Sequence, residues 1–217
     1  MKTHEYYADE LSLIVNDDLR RIVMDTLDES PECIVSIPAS SSGKYHPEYT
    51  TGEGGLLRHV KAAVGIANCM TQNDTFWDMV QSDIADVRTF DSPFKSEDEI
   101  FAMLKDAMFA ALILHDCMKP DNTDKHTTQF DHPLKAAKLF KEIAARHLTQ
   151  ENMAFMKIVI PRVHSAIASH MGKWTTAPYA RGIVLPKPKD GISQYVHMCD
   201  YLASRKFLTF EFDKYKK

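Results

Sequence analysis

The residues of this chain that could do chemistry together are one dipeptide and four dispersed polar side chains. His115-Asp116 stands at the C-terminal end of residues 107–114, the longest apolar run in the sequence. An imidazole and a carboxylate at the edge of so apolar a segment need partners, because an unpaired buried charge is costly. A metal cation partners both: histidine offers a neutral nitrogen, aspartate an anionic oxygen. That mixed set suits Mn, Fe, Co, Ni or Zn, and also Mg through the carboxylate. A lone His-Asp pair carries little weight, since a buried aspartate can simply orient a histidine. Four further residues alter the balance. His59 falls on an apolar helix face, His132 precedes Pro133 at a helix start, His170 closes a helix before Gly172, and Asp200 lies between Cys199 and Tyr201. Each has a bland explanation, as a ring at a helix end or a solvated carboxylate. One metal cluster accounts for all of them more economically.

The elements that must position these residues read as helices. Residues 6–27 carry Leu11, Ile14, Leu19, Ile22, Val23 and Leu27 at helical spacing, with a break at Asn16-Asp17-Asp18. Residues 31–55 read as a long loop with a short extended piece at 33–37; long loops in compact domains often carry function. The spacing predicts a helix over 56–70 with His59 pointing inward. Another runs over 96–115, where Ser96 and Glu99 make a capping box and the second half is apolar all round. Further helices cover 132–147, with Pro133 tolerated in the first turn, 151–171, kinked or broken at Pro161, and 192–207. Residues 71–95 and 172–190 read as irregular. No strand-rich region and no repeat appears. The expected fold is all-α: one helical-bundle domain over residues 38–210, preceded by an N-terminal helical extension over 1–37.

Composition narrows the partners. The chain has 217 residues, 44% hydrophobic and 26% charged, enough for one domain with a full core. A net charge of −4 gives no overall cationic field, so duplex DNA is not an expected partner. A small anion held by a local positive cluster stays open. Four scattered cysteines form no CxxC pair, no signal-like apolar segment opens the chain, and no apolar run spans a bilayer. Reduced thiols in a cytoplasmic protein with no membrane partner are expected. No G-x-S-x-G elbow, P-loop or G-x-G-x-x-G is present. Cys117 follows the His-Asp pair, but a catalytic dyad needs spatial rather than sequential adjacency, so it reads as packing.

The order His59, His115-Asp116, Asp200 resembles the signature of the HD superfamily of metal-dependent phosphohydrolases. Gly52-Glu-Gly-Gly-Leu-Leu-Arg-His59 resembles that family's Gly-Gly-Leu-Leu-x-His lead into its first ligand helix. Leu112-Ile-Leu-His-Asp-Cys-Met-Lys119 resembles its apolar-His-Asp-x-Gly-Lys segment, with Met118 in place of the glycine. The resemblance implies ligands on separate helices of an all-α bundle. Exoribonuclease-like members with two ions add two histidines, and His132 and His170 look like these, with His126 and His164 as rival assignments. His164 and His170 lie six residues apart, about 600° of helix rotation, so they cannot share one face. The resemblance further implies a phosphate contact at Lys119 and a histidine-bearing pocket loop holding Lys44 and His46. Arg58, Arg162, His164, Lys173 and Arg181 are further candidate substrate contacts, and Trp174 could stack a base or cover the core. Gly52, Gly54 and Gly55 read either as an anion site at a helix start or as a tight turn. The implied activity is hydrolysis of a phosphoester or phosphoanhydride in a nucleotide or short nucleic acid. Two divalent ions bridged by Asp116 would activate the water, and Lys119 would add positive charge. A di-iron oxygenase on the same ligands and a non-catalytic regulator are the rival readings. Oligomeric state is not legible in the sequence.

Overall fold

Residues 107–114 are so apolar that they can only be an interior element, and they become the axis of the molecule. They form the second half of a helix at Glu97–Leu114 in which every residue from Ala107 onward is buried. In the computed structural model, which describes residues 1–40, 46–88, 92–120 and 128–208, the helices are α1 (Ala8–Leu11), α2 (Asp17–Glu29), α3 (Gly55–Met70), α4 (Asp74–Met79), α5 (Gln81–Val87), α6 (Glu97–Leu114), α7 (His132–Arg146), α8 (Met153–Ser169) and α9 (Gly191–Ala203). No strand occurs among the described residues, and the fold is a single all-α domain. α6 packs against α2, α3, α8 and α9, while α7 lies across α8 and α2.

Local chemistry sets the helix starts. Ser96 Oγ accepts the Glu99 N–H at 3.2 Å, and Glu97, Asp98 and Glu99 place negative charge at the positive end of α6. Asn16 caps α2 through the Leu19 N–H at 2.9 Å, and Asp190 caps α9 through the Ser193 N–H at 2.7 Å. Asp106 of α6 accepts the N–H groups of Val15 and Asn16 at 2.9 and 2.8 Å, which ties the start of α2 to the central helix. Leu19, Ile22, Val23 and Leu27 of α2 join the same core as α6.

Three expectations change. Residues 32–35 form a 3-10 turn rather than an extended piece. Residues 74–79 and 81–87, read as irregular, are the short helices α4 and α5; each is too short to establish a period, and Phe76 instead packs on Tyr195 of α9 at 4.7 Å between ring centroids. Pro161 is exposed, and α8 runs through it without a break. No disulfide joins the four cysteines. No helix among the described residues is long and apolar enough to cross a membrane.

The glycine-rich approach to α3 is a packing device. Gly54 adopts a left-handed φ of 70°, and its N–H donates to Ser36 O at 2.7 Å. A Cβ on Gly55 would meet Thr50 O at 2.1 Å. The N–H groups of Gly55 and Leu56 already donate to Gly52 O and Ile37 O, so these three donors serve the loop rather than an anion. Gly55→Ala must push the 46–51 segment away and should lower unfolding free energy by about 1–3 kcal/mol. Gly65→Ala, on the same helix but facing open space, should raise it by roughly 0.5–1 kcal/mol. Denaturant unfolding of the pair checks both signs.

Candidate metal centre

Five helices bring their ends or faces to one point. α3 contributes His59; the C-terminus of α6 presents His115 and Asp116; α7 begins with His132; His170 ends α8; α9 contributes Asp200. All but Asp200 are no more than 2% exposed, and the Asp200 side chain is 18% exposed. The side chains fall into two groups whose ligand atoms lie within 4.8 Å of one another: His59, His115 and Asp200; and Asp116, His132 and His170. Either group could hold a metal ion. Asp116 faces both. Its Oδ2 is 3.5 Å from His115 Nε2 and 3.8 Å from His59 Nε2, while its Oδ1 is 2.9 Å from His132 Nε2 and 3.6 Å from His170 Nε2.

The backbone decides which ring nitrogen faces inward. His115 Nδ1 lies 2.7 Å from Leu112 O, His170 Nδ1 2.8 Å from Ile167 O, and His132 Nδ1 2.6 Å from Gln129 O. A carbonyl only accepts, so each Nδ1 must carry the hydrogen and donate it. For α6 and α8 these are carbonyls of the last turn, where i to i+4 partners run out; Ile167 O also takes a long 3.5 Å bond from the His170 N–H. In the neutral ring, Nε2 then holds a bare lone pair.

Bare nitrogens of His115, His132 and His170 therefore face inward, while His59 Nε2 lies 2.9 Å from Asp200 Oδ1. His132 and His170 Nε2 are 3.3 Å apart, and His115 and His59 Nε2 are 3.4 Å apart. Asp116 Oδ1 sits among the second group, buried, with no hydrogen-bond partner among the described residues. A cluster so rich in unprotonated nitrogen and carboxylate oxygen could hold a cation on either side of Asp116, and backbone carbonyls behind such rings are a usual support for metal-binding histidines.

Electrostatics agree. Burial opposes ionisation of Asp116, but Lys119 and His115, followed by His132 and His170, hold its carboxyl well below the ordinary carboxylate range. Burial likewise opposes ionisation of Asp200, and His115 and His59 outweigh it. Burial keeps His59 and His132 below the ordinary histidine value despite nearby carboxylates. At His115 the balance is reversed: burial is outweighed by Asp116 and Asp200, so its value is raised. Lys119 Nζ is 2.5 Å from Asp116 Oδ2.

The other sequence candidates divide. His46 is brought close: its ring centroid is 6.2 Å from that of His59, and burial lowers its pKa to about 4. Arg58 is turned away from any ligand, its guanidinium donating to Tyr49 O at 2.5 Å and Thr51 O at 3.0 Å. His164 does not join the two groups; its pKa is lowered by burial and then by Lys141. Lys173 is exposed and lies 5.2 Å from the centroid of the Trp174 ring, which itself stacks on Tyr201. Arg162 pairs with Asp86 and Ile158 O. Lys44 and His126 lie outside the described residues. The Cys117 thiol is buried and pushed up to about 12, which keeps it protonated and un-nucleophilic.

His197 is a supporting residue that the sequence reading missed. Its Nδ1 donates to His170 O at 2.7 Å, and a Cβ on Gly172, at φ 61°, would strike its ring at 2.2 Å. The signal was present: His197 sits three residues before Asp200, on the same side of α9. Comparison of the chain with protein-family models, with curated proteins and with solved structures finds no match.

Protons compete with metal for these rings. The raised His115 takes a proton first as pH falls, and the lowered His59 and His132 follow. Affinity at the His59–His115–Asp200 group should therefore begin to fall above pH 6.5, the ordinary histidine value. In the other group burial lowers His132, so proton competition at that ring sets in at lower pH than at His115. Calorimetric Mn or Zn titration across pH 5–8 (roughly the histidine range) reads this as two steps with different midpoints. A common midpoint would contradict the ordering.

Proposed function

We propose that the chain is a divalent-metal-dependent phosphohydrolase that cleaves a phosphoester or phosphoanhydride bond of a nucleotide or short nucleic acid. The observation that carries this reading is Asp116, a buried carboxylate with one oxygen turned toward each of two histidine-containing groups and an ammonium at 2.5 Å. The resemblance of the His59, His115-Asp116, Asp200 order to HD phosphohydrolases supports the reaction class and is what suggests a nucleotide substrate.

His59, His115, Asp200 and Asp116 Oδ2 would hold one ion; Asp116 Oδ1, His132 and His170 would hold the other. Two bound ions of Mn, Fe, Co, Ni or Zn, with Mg as the hard-cation alternative, would supply Lewis acidity and an acidified water at neutral pH. The chain's own residues do the rest. Leu112, Gln129 and Ile167 carbonyls lock three rings, so the site needs no reorganisation when charge develops. Lys119 places a positive charge beside Asp116, where a phosphoryl oxygen would arrive. His46 is neutral near pH 7 and has a buried, unpartnered Nδ1, so it offers a phosphate oxygen or leaving group a hydrogen bond without adding charge. Burial of five of the six side chains excludes bulk water and strengthens each of these interactions.

Asp116→Ala removes the carboxylate that both groups share. It should lower kcat/KM by about 10²–10³-fold or more and reduce bound metal. Lys119→Met should keep the metal and lower kcat by roughly 10²-fold. A Mn-loaded chain assayed on nucleotides and short oligonucleotides, with metal content measured for each variant, checks both. No turnover on any of these substrates, or oxygen consumption by an iron-loaded chain in place of phosphate release, would overturn the reading.

A further inference from the structure

A separate cavity of about 540 Å³ lies beside the second ligand group, within the size range of small-molecule sites. Its walls are the segment that leads into α7 and the turn at residues 179–183. Gln129 belongs to both places. It lines the cavity, its carbonyl accepts from His132 Nδ1 at 2.6 Å, and its N–H donates to Lys119 O at 3.0 Å. Gln129 thus contacts the ring of a cluster histidine and lines the cavity.

The lining is chemically specific. Phe130 and Tyr179 meet edge to face, with centroids 6.0 Å apart and planes at 90°. Tyr179 is 72% exposed, so most of its ring is uncovered. Lys135 is neutralised by Asp131 at 3.0 Å and bonds Gln129 Oε1. Arg181 also lines the cavity, and no hydrogen bond or ion pair holds it among the described residues.

The backbone at Arg181 is the second observation. The turn closes with Ile183 N–H to Ala180 O at 2.9 Å, and its central residues Arg181 and Gly182 have φ of 50° and 83°. Two consecutive positive φ values favour Asn, Asp or Gly at the first position. Arg181 is the one non-glycine residue with positive φ among the described residues. Arg181 is exposed, so its guanidinium is solvated and open to an anion rather than engaged in packing, although its backbone conformation is disfavoured.

We propose that this cavity binds one nucleotide unit of the substrate, with its base against Tyr179 and Phe130 and a phosphate at Arg181, next to the ester that the His-Asp cluster would cleave. The substrate role rests on the phosphohydrolase reading, whereas nucleotide occupancy of the cavity does not need metal. An aromatic platform takes any base through its π-face, and the free guanidinium supplies the anion contact that the net charge of −4 does not.

The test titrates the full chain in chelator with AMP and with adenosine, and then follows nucleotide turnover of the Mn-loaded chain. AMP should bind the chelated chain. Tyr179→Ala should weaken AMP and adenosine alike by about ten-fold, and should raise KM for a nucleotide more than it lowers kcat. Arg181→Asn should weaken AMP by about ten-fold but leave adenosine unchanged. Its melting temperature should equal or exceed that of the parent, because Asn tolerates positive φ. Failure of AMP to bind the chelated chain, or AMP binding unaffected by both substitutions, would overturn the proposal. Hydrolysis with KM unmoved in Tyr179→Ala would overturn it and leave the phosphohydrolase reading standing. AMP binding lost in both variants without any hydrolysis would support the nucleotide site and overturn the phosphohydrolase reading.

Discussion

Four imidazoles and two carboxylates crowd one interior, and only the His59 Nε2–Asp200 Oδ1 pair, at 2.9 Å, is a hydrogen bond between a ring and a carboxylate there among the described residues. Three imidazoles are committed through Nδ1 to backbone carbonyls, and the nitrogens left over face each other and Asp116. In a dry interior such a cluster is unfavourable unless positive charge enters it. Lys119 reaches Asp116 Oδ2 and leaves Oδ1 without a partner. The rest of the fold is arranged around this demand. α6 ends where its apolar run ends, so that His115 and Asp116 emerge at the centre of the bundle. α3, α7, α8 and α9 each bring one more side chain that could hold a metal, and α2 is anchored to the central helix through Asp106.

Much of this was legible because helical period and residue chemistry agree. The apolar run over residues 107–114 could only be buried, so a charged pair at its end had to find partners. His59 and Asp200 follow from the stripes of α3 and α9. His132 and His170 could not be placed by spacing alone; their position follows from Pro133 opening α7 and α8 ending at Ser169. What remained hidden depends on contacts between distant segments. Arg58 looked like a phosphate ligand because nothing local shows that its guanidinium closes on the Tyr49 and Thr51 carbonyls. The glycines before His59 were open to two readings until Thr50 O was seen pressed against Gly55. α4 and α5 escaped because six or seven residues do not establish a period, and their stability comes from packing on α6 and α9.

Dry and open parts have different work. The His-Asp cluster is largely buried and three of its rings are held by backbone carbonyls, an arrangement suited to holding charge in fixed geometry. The cavity beside it is open, aromatic and carries an uncommitted guanidinium, suited to recognition. Gln129 joins the two, touching the ring of one and lining the other.

The central claim is that the cluster is built for cations on both sides of Asp116. Anomalous diffraction from a Mn-loaded crystal tests it most directly. The account requires two peaks about 3.5–4 Å apart, one against His59, His115 and Asp200 and the other against His132 and His170, with Asp116 between them. Absence of density at the cluster with Mn bound elsewhere would contradict it, as would a chain that takes up no Mn at all.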